Sequence, residues 1–233
     1  MCYNLDMEKN FKTRAIVGFS MLFVSLVGLY LFDSLPFKIL FAIFTVVAAI
    51  ELFSFFKSSH KAINFVLAIL EFGFLIGGML FVFKTKMPDF WYVILGIPGY
   101  DVFAYLFGNI FGGKVFKSRP FPKISKGKTW EGTILGLLCS VGLVALLLSF
   151  RETFSTDYIY LLSGPLALAG DLFESYLKRT FKVKDSNEIV IKNKFFSKLE
   201  IIVGGSEGHG GFLDRIDSTA FATTILLIIS LFL

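Results

Sequence analysis

Cysteine and histidine are scarce in this chain, with two of each among 233 residues. Cys2 stands near one end and Cys139 inside an apolar run, so they offer no disulfide framework and no thiolate metal spacing. His60 reads as a loop residue, and with His209 so distant no zinc spacing arises. Neither a Ser-His-Asp arrangement nor a dinucleotide-binding glycine fingerprint is present. Internal repeats and long low-complexity linkers are missing too. Charged residues make up only 18% of the chain. The "GKT" at 127–129 invites a Walker A reading, but that motif needs a glycine five residues before Gly127, where Pro122 stands.

What the chain has is hydrophobic mass. Apolar residues make up 55% of it, its mean hydropathy is +0.72, and its 30 phenylalanines exceed what one soluble core would use. Apolar runs at 15–32, 37–56, 62–83, 90–111, 132–150, 158–177 and 218–233 approach the roughly 20 residues that cross a bilayer. The expected fold is therefore an all-α integral membrane protein, a polytopic bundle of about seven transmembrane helices in one domain, 1–233. Residues 1–90 form its N-terminal spans, and 91–233 carry the polar motifs in loops 112–131 and 178–217. No small-residue cleavage pattern follows the first run, which reads as a retained helix.

Lysine and arginine orient this bundle, because they concentrate in loops that stay cytoplasmic. With the N-terminus inside, all but Lys38, Lys84, Lys86 and Arg151 of the 23 basic residues fall on the cytoplasmic side. The expected topology is N-in and C-out, with the polar loops cytoplasmic. The net charge of +5 follows from this bias. Nucleic acid is not an expected partner, since the aromatics sit in spans and do not interleave with the basic loops.

An ionised side chain at a helix centre in hydrocarbon costs about 2.5–3.5 kcal/mol, so intramembrane acids are functional candidates. Glu51 lies near its cytoplasmic end and reads as reaching the interface. Glu71 falls in mid-span with no partner apparent from sequence. Asp101 lies in the fourth run. In "LALAGDLFESYLKRT", Asp171, Glu174, Ser175 and Lys178 share one helical stripe, with Arg179 on its edge. Such a face suits a cation held by the acids and a phosphate held by the bases. The alternative is a helix end with snorkelling bases and a Glu174–Lys178 salt bridge.

In "GHGGFLDRID", residues 208–217, Asp214 and Asp217 share one face of a helical first turn. Carboxylates so placed can hold a hard cation shared with a substrate phosphate, or simply cap the following helix. The loop "FGGKVFKSRPFPKISKGKTWEG" carries six bases, suited to polyphosphate or anionic headgroups. Lys128, Trp130 and Glu131 stand together where it enters a span, with Trp130 as an interfacial anchor.

Taken together, "SKGKTWEG", "GDLFESYLKRTFKVKD" and "GHGGFLDRIDS" resemble the phosphatidate cytidylyltransferase, or CDP-diacylglycerol synthase, family. Ser175, Lys178, Arg179, Lys184, Asp185, His209, Gly210, Gly211, Asp214, Arg215 and Asp217 match its C-terminal signature. Asp101, Ala104, Tyr105 and Gly108 match its Asp-x-x-Ala-Tyr-x-x-Gly segment. Coverage runs from about 101 to 218, and the first three spans are similar only as hydrophobic helices. The link of 23 residues between Asp185 and His209 is much longer than the family's usual one, and Asn187 stands where a small residue is usual. Within that insert Ile191, Phe195, Leu199 and Ile202 follow helical spacing with lysines between, as in a helix lying on the membrane surface. A β-hairpin is the rival, since "EIVI" and "EIIV" are β-prone.

The resemblance implies transfer of a cytidylyl group from CTP to phosphatidic acid, giving CDP-diacylglycerol and pyrophosphate. It implies Mg²⁺, with room for a second metal ion, held by Asp171 and Asp214 with Asp217 assisting. Lys178, Arg179 and Arg215 would neutralise phosphates, and Lys128 would hold the triphosphate. Ser175, Lys184, Asp185, His209, Gly210, Gly211 and Asp101 would line the substrate site. CTP, phosphatidic acid and the bilayer are the expected partners, and a homodimer is compatible with the sequence. Two rivals remain. One is a related CTP-dependent enzyme acting on a polyprenyl or ether-lipid phosphate; the other is an ion or proton carrier using the intramembrane acids.

Overall fold

A computed structural model describes residues 35–58, 62–85, 87–150, 156–182 and 213–233. Their regular elements are helical: α1 (Leu35–Ser58), α2 (Ala62–Lys84), α3 (Met87–Phe111), α4 (Trp130–Ser149), a 3₁₀ segment (Thr156–Leu162), α5 (Ser163–Phe181) and α6 (Leu213–Ser230). The chain divides into two compact units, 1–40 and 41–233. Of the first, only the opening of α1 is described. All the packing below lies within the second. The apolar run at 15–32 and the insert lie outside the described residues.

Three helical stretches are long and apolar enough to cross a membrane: Ala62–Lys84, Trp91–Phe111 and Trp130–Ser149, of 23, 21 and 20 residues. At about 1.5 Å of rise per residue each reaches roughly the 30 Å of a hydrocarbon core. Phe41–Phe53 and Ile216–Ser230 are shorter apolar helices. Large apolar side chains such as Ile63, Val66, Leu70 and Phe72 point outward from α2. That surface is costly in water and natural against lipid.

Between helices lipid gives no hydrophobic drive, so small residues let backbones meet. A Cβ added to Gly136 of α4 would fall 2.9 Å from the Ala104 Cα of α3, and one on Gly132 2.9 Å from the Gly108 Cα. Ser140 Oγ of α4 donates to the Gly96 carbonyl at 2.7 Å, beside Pro98, which α3 carries internally. Gly78 brings α2 equally close to Ala220 of α6, where Thr224 Oγ1 donates across to the Phe74 carbonyl at 2.8 Å. Gly170 does the same for α5 and α6, its added Cβ falling 2.8 Å from the Ser218 Cα.

Two helices depart most from their hydrophobic runs. The run at 158–177 becomes a 3₁₀ segment followed by α5 from Ser163. Pro165 has no amide hydrogen and sits at least cost in a first turn, and the α-helix starts just before it. At its other end α5 continues to Phe181, where Lys182 takes a left-handed conformation (φ 59°) and its amide donates to the Arg179 carbonyl. Lys178 and Arg179 thus occupy the last turn, where the helix dipole favours cations. The last helix begins at Leu213, five residues before its apolar run, so Asp214 lies in its first turn.

Candidate functional site

Helices α5 and α6 place most of the polar residues. On α5 the stripe read from the sequence is real: Glu174 is buried, Asp171, Ser175 and Lys178 are half-buried, and Arg179 is exposed on its edge. Lys178 Nζ lies 2.7 Å from Glu174 Oε1, the i,i+4 salt bridge. The same ammonium reaches Asp214 Oδ1 of α6 at 3.4 Å, so the bridge ties the two helices together. Burial works to lower the Lys178 pKa, but the carboxylates of Glu174, Asp214 and Asp217 outweigh it and hold it above the ordinary lysine value.

The second ion pair joins the basic loop to α5. Lys128 pairs with Asp171, and its Nζ lies 5.5 Å from the centre of the Tyr100 ring. Burial again opposes the ammonium, and Asp171, Tyr100 and Asp101 together raise its pKa above the usual value. Asp101 of α3 therefore belongs to this neighbourhood. Arg179 Nε donates to the Ile124 carbonyl at 3.4 Å, a second tie between α5 and the loop.

The loop is held from beneath by the start of α4. Thr129 caps that helix, its Oγ1 accepting from the Gly132 amide at 3.1 Å. That is what the "GKT" does locally. Glu131, buried just inside the helix, accepts the amides of both Val115 and Phe116 at 2.9 Å through Oε1. The position of Glu131 in the sequence does not show that it reaches back across 15 residues.

Asp217 is buried on α6 and feels the charges of Glu174, Glu71 and Asp171. Glu71, which had no partner in sequence, faces this helix from α2. Glu51 is turned into the helix packing: it is 1% exposed, and its Oε2 accepts the Leu213 amide at 2.8 Å. Arg215 falls in the first turn of α6 by its backbone. Lys184, Asp185, His209, Gly210 and Gly211 lie outside the described residues. Among the described residues no three of Asp, Glu, His and Cys stand grouped as a ready cage for a metal.

These observations define a class: a membrane protein, helical in its described residues, in which acids and bases from two adjoining helices and one basic loop form a half-buried ionic cluster. Residues 85–191 match the model of the cytidylyltransferase family. The phosphatidate cytidylyltransferase of Rickettsia felis is 33% identical over 240 residues, which take in 96% of this chain and 94% of that protein. That of Staphylococcus aureus strain COL is 36% identical over 160 residues, 65% of this chain and 54% of its own. The chloroplastic phosphatidate cytidylyltransferase 4 of Arabidopsis thaliana is 36% identical over 130 residues, 54% of this chain and 28% of its own. The chain belongs to the phosphatidate cytidylyltransferase family.

Proposed function

We propose that this protein transfers the cytidylyl group of CTP to phosphatidic acid. A phosphate oxygen of the lipid attacks the α-phosphorus of CTP, the bond from that phosphorus to the β-bridging oxygen breaks, and pyrophosphate leaves. Near-full-length likeness to the rickettsial enzyme carries this reading. The ionic cluster supports it chemically. Both reactants are anions, so the main barrier is charge, and cations placed in a low-dielectric site lower it most effectively. Lys178, Arg179 and Arg215 serve the phosphates, and Lys128 the triphosphate. Ser175 and Asp101 stand beside them, and Lys184, Asp185, His209, Gly210 and Gly211 complete the substrate site. Phosphatidate is already ionised near neutral pH, so the step needs no general base.

Asp171, Asp214 and Asp217 carry the carboxylate oxygens that a hard divalent cation takes; they do not stand grouped as a cage, and Asp171 and Asp214 face the ammonium groups of Lys128 and Lys178, with which a cation would have to compete. Magnesium held there would supply further positive charge to the phosphates. Purified protein in nanodiscs with CTP and magnesium should convert phosphatidic acid to CDP-diacylglycerol and release equimolar pyrophosphate. Turnover of a polyprenyl or ether-lipid phosphate in preference to phosphatidic acid would overturn the choice of substrate. CTP-independent ion flux in vesicles would instead favour the carrier.

The finer topology, seven spans with the N-terminus and the polar loops cytoplasmic, rests on the distribution of lysine and arginine. In a background lacking Cys2 and Cys139, a cysteine at position 126 should react with an impermeant maleimide only from the cytoplasmic face. One at position 154 should react only from the opposite face. Labelling of both from one side would remove a span between them.

A further inference from the structure

The N-terminal helices look like plain anchors, yet α1 sends a carboxylate to the head of α6. Glu51 and Leu213 are 162 residues apart in sequence, and each is 1% exposed. Around them Val47, Ala48 and Leu52 of α1 pack with Leu213, Ile216 and Ala220 of α6 in one apolar cluster. The carboxylate is therefore held rigidly from one side and the first amide of α6 from the other. A bare helix start leaves its first amides unsatisfied and carries partial positive charge, and a carboxylate meets both needs. An apolar side chain would fill the same space but leave the buried Leu213 amide without an acceptor, so the acid secures the start of α6 in a way that packing alone cannot, and the adjacent residue is Asp214.

We propose that Glu51 is a positioning residue: by fixing the first turn of α6 it sets where Asp214 and Asp217 present their carboxylates to the reaction. The inference rests on the function proposed above. Asp214 is one residue beyond the bonded amide and Asp217 one turn further, so a shift or fraying of that turn moves both. Misplacement of acting groups by about 1 Å can cost up to a hundredfold in rate.

Three variants separate this role from others. Glu51→Gln keeps an acceptor oxygen at the same reach and loses the charge; Glu51→Asp keeps the charge and withdraws the acceptor by one methylene; Glu51→Ala removes both. In nanodiscs, Gln should keep kcat within about threefold of wild type. Asp and Ala should each lose about tenfold in kcat with little change in the KM for CTP. Hydrogen–deuterium exchange of the peptide covering 213–217 should quicken about tenfold in Asp and Ala and stay near wild type in Gln. If Gln is as damaged as Ala while Asp is spared, the charge matters and the positioning role is wrong. Wild-type exchange at 213–217 in both Asp and Ala overturns it too. Should Ala fail to fold, the contrast between Gln and Asp still decides. Should the wild type itself make no CDP-diacylglycerol, the proposed function fails, and the exchange measurements still report whether Glu51 holds this turn.

Discussion

Replacing Asp171 or Asp214 with Asn should lower CTP-dependent turnover on the order of a hundredfold or more, the loss typical when one preorganised electrostatic group is removed from a reacting centre. Asn keeps nearly the volume of Asp, so packing between α5 and α6 is unchanged, and only the charge is lost. The fold should tolerate that loss. In Asp214→Asn, Lys178 keeps Glu174 at 2.7 Å. In Asp171→Asn, Lys128 keeps Asp101 and the Tyr100 ring nearby. Both proteins should insert and unfold within a few degrees of wild type. The deciding measurement is kcat across a magnesium titration at saturating CTP and lipid. Near-normal turnover of either variant at limiting magnesium would remove that residue from the set of metal ligands.

How much of this cluster could be read from residues alone depends on the range of each contact. The α5 stripe was legible, because spacing within one helix fixes which side chains share a face. So was the placement of Asp214 and Asp217 in a first turn. Helix limits were legible to within a few residues where an apolar run ends in charge, as for α2. They slipped where another feature decides: Pro165 delays α5, and the turn that brings Leu213 to Glu51 advances α6. Contacts across the chain were not legible. Nothing local to Glu51, Glu71 or Glu131 tells which helix or loop each will face, because helix packing decides that. Lys128 is a further case. Its sequence neighbours suggested a headgroup-depth charge, while its structural partner, Asp171, comes from a helix 43 positions on.

The Lys178→Met variant tests the other side of the cluster. Lys178 is the cation between Glu174 and Asp214, with Asp217 close by. Methionine fills most of the stem's space, so the main loss is charge. Removing one partner of a fully buried pair costs about 3–5 kcal/mol, and some solvent still reaches this one, so about 2 kcal/mol is expected. Turnover should fall on the order of a hundredfold, since the phosphate loses a cation and Asp214 loses its tether. The pH dependence has a definite sign. A lysine whose folded-state pKa is raised contributes stability fully below its unfolded value, about 10.4, and loses it only as the pH climbs through the folded value. Between pH 6 and 9 the thermal deficit of the variant should therefore persist or grow, as the carboxylates it leaves behind ionise more completely. A deficit that shrinks toward zero by pH 9 would mean that Lys178 is not the charged tie between α5 and α6.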